Sequence, residues 1–105
     1  MIDIYICEDN QKQLHLFEKY ISNLILIENL DMKIVQATSD PHEVLKKILT
    51  AEHTGLFFLD IDLKSDVNGL TLAQRIRQIQ PRCFIIFITS CQLFSCILYS
   101  YSSLC

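Results

Sequence analysis

Four apolar segments, rich in β-branched and aromatic residues, alternate along the chain with segments whose apolar residues recur at helical spacing. The short apolar runs are typical of buried strands, and the helical periodicity predicts amphipathic helices between them. Uniformly apolar strands that alternate with helices indicate a parallel sheet covered by helices on both faces. We therefore predict an α/β fold, a doubly wound parallel sheet with the order βαβαβαβ. The predicted strands are residues 2–7, 33–37, 55–60 and 83–88.

Three helices connect the predicted strands, and the first spans about residues 11–27. Asp40 is the predicted N-cap of the second helix, and Glu43, three residues later, is predicted to complete a capping box. A polar loop over residues 62–69 leads to the third helix, which ends before Pro81 because proline interrupts helical hydrogen bonding. The apolar residues predicted to face the core are Leu14, Phe17, Ile21 and Leu24 in the first helix, Val44, Leu45, Ile48 and Leu49 in the second, and Leu72, Ala73, Ile76 and Ile79 in the third.

Length and composition limit what such a sheet can do. The 105 residues include 12 acidic and 9 basic side chains, a formal charge of -3, and half of them are hydrophobic. A chain of this size supports one domain with a single core, and its hydrophobic content excludes a disordered linker. The slight negative charge argues against direct contact with nucleic acid, because such surfaces concentrate lysine and arginine.

Five cysteines suggest a disulfide framework at first, but their positions do not. Cys7 and Cys83 lie inside apolar strand-like runs, no C-x-x-C motif is present, and no secretory signal opens the chain. We therefore expect reduced cysteines in a cytoplasmic protein. Residues 83–105 are uncharged, but polar residues interrupt them and no basic flank follows, so we do not expect a membrane span.

The end of the chain differs from the rest. Residues 91–105 form an uncharged, cysteine-rich tail, and we separate it from a domain formed by residues 1–90. Only four residues separate Ile88 from Leu93, whereas a parallel crossover needs a dozen or more. The tail is therefore expected either to fold back antiparallel or to pair with another molecule. An uncovered fourth strand would expose an apolar edge, so we also expect a homodimer through strand four and the tail.

Polar residues follow three of the predicted strands at their carboxyl ends. Glu8 and Asp9 follow the first strand, Asp60 ends the third, and Thr89 follows the fourth. Ligands of open parallel sheets collect at this edge, so we expect these side chains to converge there. Carboxylates held close together repel one another unless a cation joins them, and Mg²⁺ favours such oxygen ligands. A carboxylate nucleophile, a divalent ion and a hydroxyl donor would form a phosphoryl-transfer site.

This set of residues resembles the receiver domain of two-component response regulators, which has a flavodoxin-like (CheY-like) fold. The resemblance includes the acidic pair, Asp60 at the phosphoacceptor position, Gly69 in the following loop, and Thr89 with Ser90. A narrower resemblance is to regulators of the accessory-gene-regulator A type, which pair a receiver with a LytTR DNA-binding domain, often in peptide quorum sensing. The segments that carry it are Ile-Cys-Glu-Asp at 6–9, Phe-Leu-Asp-Ile-Asp-Leu at 58–63, Asn-Gly-Leu at 68–70 and Ile-Ile-Phe-Ile-Thr-Ser at 85–90.

The resemblance implies a role for each site residue. Asp60 would accept a phosphoryl group from the phosphohistidine of a sensor histidine kinase, which makes the chain a phosphoacceptor rather than an enzyme. Asp9 would ligate Mg²⁺ directly, Glu8 mostly through water, and the backbone carbonyl of Asp62 would be a further ligand. Thr89 would contact the phosphoryl oxygens and act as the switch. The output would be control of transcription.

Two departures from the family pattern leave alternatives open. Leu63 and Lys64 replace the usual Met-Pro, and Gly69 lies nine residues after Asp60, so Asp62 is a second possible acceptor. The resemblance also ends near residue 90, so the fold is expected to be incomplete, without the parallel fifth strand, the last helices or a DNA-binding domain. The Asp60-Ile61-Asp62 segment also resembles the motif of Mg²⁺-dependent haloacid-dehalogenase-type phosphohydrolases. A non-catalytic interaction module is the third hypothesis.

Overall fold

The computed structural model describes the backbone of residues 1–89 and 97–101, and the side chains of residues 1–88. Every strand and helix expected in this part of the chain is present, and boundaries differ from the predicted ones by one residue at most. None of the helices in the described ranges is both long and apolar enough to cross a membrane. The elements are β1 (Ile2–Cys7), α1 (Gln11–Ile27), β2 (Met32–Thr38), α2 (Pro41–Ile48), β3 (Gly55–Asp60), α3 (Gly69–Ile79), β4 (Phe84–Thr89) and β5 (Ile97–Tyr101).

The strands form one sheet in the order β2-β1-β3-β4-β5. The first four are parallel, which confirms the predicted doubly wound α/β fold. Strand β5 runs antiparallel to β4, with Ile97 opposite Thr89 and Tyr101 opposite Ile85. Of the two placements expected for the tail, the backbone adopts the antiparallel one, because the short connection allows a reversal but no crossover. The division at residue 90 and the predicted dimer involve residues 90–96 and 102–105, which lie outside the described residues.

Two apolar clusters cover the two faces of the sheet. Helix α1 packs on one face, where the rings of Phe17 and Phe58 meet edge to face with centroids 5.1 Å apart. Helices α2 and α3 cover the other face, where Tyr5 stacks on Phe57 at 4.5 Å. Side chains of a strand alternate between faces, so the neighbours Phe57 and Phe58 serve different clusters. The core therefore packs against β1 and β3, two neighbouring interior strands, from both sides.

Cys7 and Cys83 are buried and carry free thiols, as predicted. Burial and the surrounding carboxylates raise the pKa of Cys7 to about 12, so this thiol is unreactive core. The other three cysteines, at positions 91, 96 and 105, lie beyond the part that the structure describes.

Three side chains predicted to face the core are exposed instead. Leu24, Leu49 and Ile79 are 37%, 69% and 39% exposed. Leu49 and Ile79 lie at the ends of their helices, where the sheet no longer reaches them, and Leu24 lies on the flank of α1. Conversely, two residues of the loop predicted to be polar, Leu63 and Val67, are buried in the cluster beneath α2 and α3.

The start of α2 confirms one prediction and corrects another. The Asp40 side chain caps the helix by accepting a hydrogen bond of 2.9 Å from the backbone N–H of His42. The predicted capping box is wrong, because Glu43 accepts a hydrogen bond of 2.6 Å from the hydroxyl of Thr38. That hydroxyl oxygen in turn accepts the backbone N–H of Asp40 at 3.1 Å. Thr38, the last residue of β2, thus stands between the two groups that a capping box would join.

Gly69 brings the first turn of α3 against the end of β3. A Cβ atom at this position would overlap the backbone carbonyl oxygen of Asp60 and would lie 2.9 Å from the Cα of Ile61. The backbone N–H of Gly69 also donates to the carbonyl of Ile61 at 3.4 Å. Since both neighbours are backbone atoms of a buried strand end, neither can move aside easily. Only glycine allows this approach.

We predict that Gly69→Ala lowers the free energy of unfolding by about 1–3 kcal/mol, because the added methyl group forces α3 away from β3. Urea denaturation followed by circular dichroism measures the change. Gln74→Ala, at an exposed position of the same helix, is the matched control and should stay within about 0.5 kcal/mol of the parent. A Gly69→Ala protein as stable as the parent would contradict the close approach.

Candidate functional site

Three carboxylates meet at the carboxyl edge of the sheet. Glu8 and Asp9 directly follow β1, and Asp60 is the last residue of β3. These strands are parallel neighbours, with Cys7 opposite Leu59, so both chains deliver their acidic residues to the same edge. One oxygen atom from each carboxylate lies within 4.8 Å of the other two. In the part of the chain that the structure describes, this is the one group of metal-ligating side chains so close together.

Burial makes the proximity of these groups costly. Glu8 and Asp60 are only 3% and 2% exposed, whereas Asp9 is half-buried. Burial and the hydrogen bond with Asp60 raise the pKa of Glu8 to about 8. Burial and the neighbouring Asp9 carboxylate also raise the pKa of Asp60, against hydrogen bonds with Glu8 and the backbone of Asp62. In the absence of a cation, burial and the neighbouring carboxyl groups therefore favour the protonated form of Glu8.

Asp9 behaves in the opposite way. Burial raises its pKa, but hydrogen bonds with Asp60, with Glu8 and with the backbone of Lys64 outweigh burial and lower it. The contribution of Lys64 could not be predicted from the sequence, because a backbone N–H carries no residue signature. Asp9 is thus the charged member of the group, beside two buried carboxyls with raised pKa values.

Local hydrogen bonds fix the two strand ends. The backbone N–H of Asn10 donates to Oε2 of Glu8 at 3.2 Å, and the side chain of Asn10 caps α1 by accepting from Gln13 at 3.1 Å. The backbone N–H of Asp62 donates to Oδ1 of Asp60 at 3.0 Å. Each buried carboxylate thus has one oxygen held by its own loop, and the strand pairing aligns the two loops.

The donor set fits a hard divalent cation. All three side chains supply oxygen ligands, and a cation among them would relieve the repulsion and desolvation that raise the pKa values of Glu8 and Asp60. Neither cysteine nor histidine belongs to the group, so a soft metal that prefers sulfur or nitrogen finds no such ligand in it. The arrangement suits Mg²⁺ better than zinc.

The other two predicted site residues are Asp62 and Thr89. Asp62 is exposed, and its carboxylate is not part of the three-carboxylate group. Its backbone carbonyl as a metal ligand remains a prediction. Thr89 ends β4, one residue beyond Ile88, which pairs with Asp60, so its backbone reaches the same edge of the sheet. The side chain of Thr89 lies outside the described residues, and its contact with a phosphoryl group remains a prediction.

The phosphohydrolase hypothesis requires Asp60 and Asp62 to act as a pair. The exposed position of Asp62 and the grouping of Asp60 with Glu8 and Asp9 do not favour that pairing.

Known proteins similar to this chain include bacterial regulators. The chain is 44% identical over 87 residues to accessory gene regulator protein A of Staphylococcus epidermidis and, at the same identity, to that of Staphylococcus aureus. The matched segment is 83% of this chain but only 37% of either relative. The chain thus spans well under half the length of these proteins.

Two solved structures share the fold. The response regulator protein TrrA from Thermotoga maritima, solved in complex with Mg²⁺ and BeF, has a TM-score of 0.69 and 24% identity. The aligned region covers 88% of this chain and 72% of the TrrA chain. The signal receiver domain of a modulated diguanylate cyclase from Desulfovibrio desulfuricans, described as an example of alternate folding, has a TM-score of 0.64 and 22% identity. The aligned region covers 88% of this chain and 67% of the chain of that structure.

A protein-family model, the response regulator receiver domain, matches residues 4–94, which is most of the chain. The match includes all three clustered carboxylates, most of β1 and the whole of β2, β3 and β4. The chain therefore belongs to the response regulator receiver domain family and is a signalling domain of a two-component system.

Proposed function

We propose that this receiver domain accepts a phosphoryl group on Asp60 from the phosphohistidine of a sensor histidine kinase. The observation that carries the proposal is the position of Asp60, which is buried at the carboxyl edge of the sheet within 4.8 Å of two further carboxylates. Of the three grouped carboxylates, Asp60 is the one that belongs to a strand, as the last residue of β3, whereas Glu8 and Asp9 follow β1. The domain acts as a phosphoacceptor, not as an enzyme with turnover.

Mg²⁺ is the proposed cofactor. Glu8, Asp9 and Asp60 would hold it, with the backbone carbonyl of Asp62 as a further ligand. The ion would supply charge neutralisation at the acceptor and at the incoming phosphoryl oxygens. The raised pKa values of Glu8 and Asp60 support this assignment, because two buried carboxyls side by side are best stabilised by a shared cation.

The proposed step is a displacement at phosphorus. A carboxylate oxygen of Asp60 attacks the phosphorus atom and forms a P–O bond, while the P–N bond to the donor imidazole breaks. The electron pair of that bond returns to the imidazole nitrogen, and the product is an acyl phosphate on Asp60. The hydrogen bond from the backbone N–H of Asp62 holds Oδ1 of Asp60 in place for this step. The hydroxyl of Thr89 would contact the phosphoryl oxygens and report the change.

The biological setting is inferred from the relatives. Because the chain corresponds to 37% of accessory gene regulator protein A, we infer that it acts like the receiver part of a transcription regulator of that type. Such a regulator combines the receiver with a LytTR DNA-binding domain in peptide quorum sensing, within the cytoplasm. This segment is acidic overall, so contact with DNA would fall to another domain.

Incubation with acetyl phosphate and Mg²⁺ should add one phosphoryl group to the protein, detected by intact mass spectrometry. Asp60→Asn should abolish the adduct, because it removes the attacking carboxylate. Asp62→Asn is the matched control, two residues away in the same loop, and should retain the adduct. An adduct that survives in Asp60→Asn and disappears in Asp62→Asn would move the acceptor to Asp62.

Metal-free protein should lose stability as pH rises from about 4.5 to about 8. Glu8 keeps its proton in the folded state up to about pH 8, whereas its ordinary pKa is 4.5. In that window the folded state binds more protons than the unfolded state, so raising the pH favours unfolding. Thermal melting of the metal-free protein across this range measures the effect.

Glu8→Gln removes the titrating group and should flatten this pH dependence, and it should also reduce the rise in melting temperature that Mg²⁺ produces. Glu28→Gln, at an exposed position, is the control for the loss of one carboxylate and should leave both behaviours as in the parent. The assignment of Glu8 fails if its substitution changes neither the pH profile nor the response to Mg²⁺.

A further inference from the structure

A groove lies between α2 and α3, on the face of the sheet opposite to α1. It has a volume of about 450 Å³ and is open to solvent. It is formed by the carboxyl-terminal turns of the two helices, whereas the acceptor carboxylate lies beside the amino-terminal end of α3. Helix α3 has 11 residues and is therefore about 16 Å long, which separates the groove from the acceptor. The lining residues are Leu45, Lys46, Leu49, Arg75, Gln78 and Ile79.

Apolar side chains that folding leaves uncovered form the floor of this groove. Leu49 is 69% exposed and Ile79 is 39% exposed, although helical periodicity predicts both in the core. Leu45, which lies between them and the sheet, is half-buried. Scattered exposed leucines need no explanation, but these three converge from two helices on one concave surface. Contact between this apolar surface and water is unfavourable, so covering the surface with an apolar partner is favourable.

The charges at the rim of the groove are all positive. Lys46 and Arg75 are the charged residues that line it, and both are exposed. Among the described residues, neither has an acidic partner within 4.0 Å. Asp66, on the loop before α3, is already paired with His42 at 2.9 Å. A protein with a net charge of -3 thus presents unneutralised positive charge beside its apolar groove.

We propose that this groove is a docking surface for a short acidic segment of a partner protein. Apolar side chains of that segment would insert between α2 and α3 and contact Leu49 and Ile79. Aspartate or glutamate residues flanking them would pair with Lys46 and Arg75. A concave surface with two cations fits such a peptide better than a phosphate-rich nucleic acid or membrane surface, which attracts larger basic patches.

This surface is independent of the proposed phosphoacceptor. The residues that line it do not include Glu8, Asp9 or Asp60, so we expect the partner to bind whether or not Asp60 is phosphorylated. Failure of the acetyl phosphate experiment would therefore leave this proposal intact, and failure of the experiment below would leave the phosphoacceptor intact.

Selection of a random peptide library displayed on phage against the immobilised protein tests the proposal. Enriched peptides should combine leucine, isoleucine or phenylalanine with flanking aspartate or glutamate. One enriched peptide, synthesised with a fluorescent label, then serves as the probe in anisotropy titrations. Its affinity should fall as salt increases, because surface charges contribute to binding.

Variants of the groove and matched variants of α1 locate the binding site. The double substitution Lys46→Glu with Arg75→Glu should lower the affinity for the probe peptide by at least about tenfold, because two attractive contacts become repulsive. Lys12→Glu with Lys19→Glu makes the same change of charge on α1 and should leave affinity within about twofold of the parent, because only charges at the groove contact the peptide. Leu49→Ala should weaken binding, whereas Leu26→Ala, which truncates a leucine 80% exposed on α1, should not. Circular dichroism checks that each variant folds.

Four results would overturn the proposal. The first is a set of enriched peptides without an acidic bias, and the second is equal binding of the probe to the groove variants and the α1 variants. The third is self-association in sedimentation that Lys46→Glu with Arg75→Glu abolishes, which would make a second copy of the chain the occupant. The fourth is binding of vesicles containing phosphatidylserine to the parent and not to this variant, which would assign the surface to a membrane.

Discussion

Electrostatic repulsion among three carboxylates is the constraint on which the rest of this structure depends. Glu8 and Asp60 are buried beside Asp9, an arrangement that is unfavourable without a proton or a cation. The fold tolerates it because β1 and β3 are neighbouring interior strands of the sheet and are packed by apolar side chains on both faces. Hydrophobic packing thus stabilises the polypeptide and at the same time holds the carboxylates where a divalent ion is needed. Stability of the metal-free protein and the close grouping of these carboxylates are therefore opposed.

Gly69 extends this constraint into the helical layer. Its missing side chain lets α3 begin directly against the backbone of Asp60, so Asp60 and the helix share one close contact. The same helix ends at Ile79, in the groove with the basic rim. One element therefore spans the distance between the acidic edge and a surface of opposite charge. The two surfaces differ in charge, because the acidic edge favours a cation and the basic rim favours acidic side chains.

The parallel sheet ends in an antiparallel strand at one edge. Strand β5 pairs antiparallel with β4, so the sheet has five strands although the connection is too short for a crossover. This pairing covers the edge of β4, whose exposure was the basis for expecting a dimer, and moves the open edge of the sheet to β5. The antiparallel strand therefore removes part of the physical reason for association through β4.

The sequence by itself determined the layers of the fold. Apolar periodicity shows which face of each strand or helix avoids water, and this preference is the same whichever elements pack against that face. It also determined the identity of the three carboxylates, since acidic residues directly after buried strands must lie at one edge of a parallel sheet. Only the tertiary structure decided that Thr38 replaces the capping box of Glu43, that Leu49 and Ile79 lie beyond the reach of the sheet, and that a backbone group of Lys64 contributes to the low pKa of Asp9. These features depend on distances between elements far apart in the chain, and local periodicity carries no information about such distances.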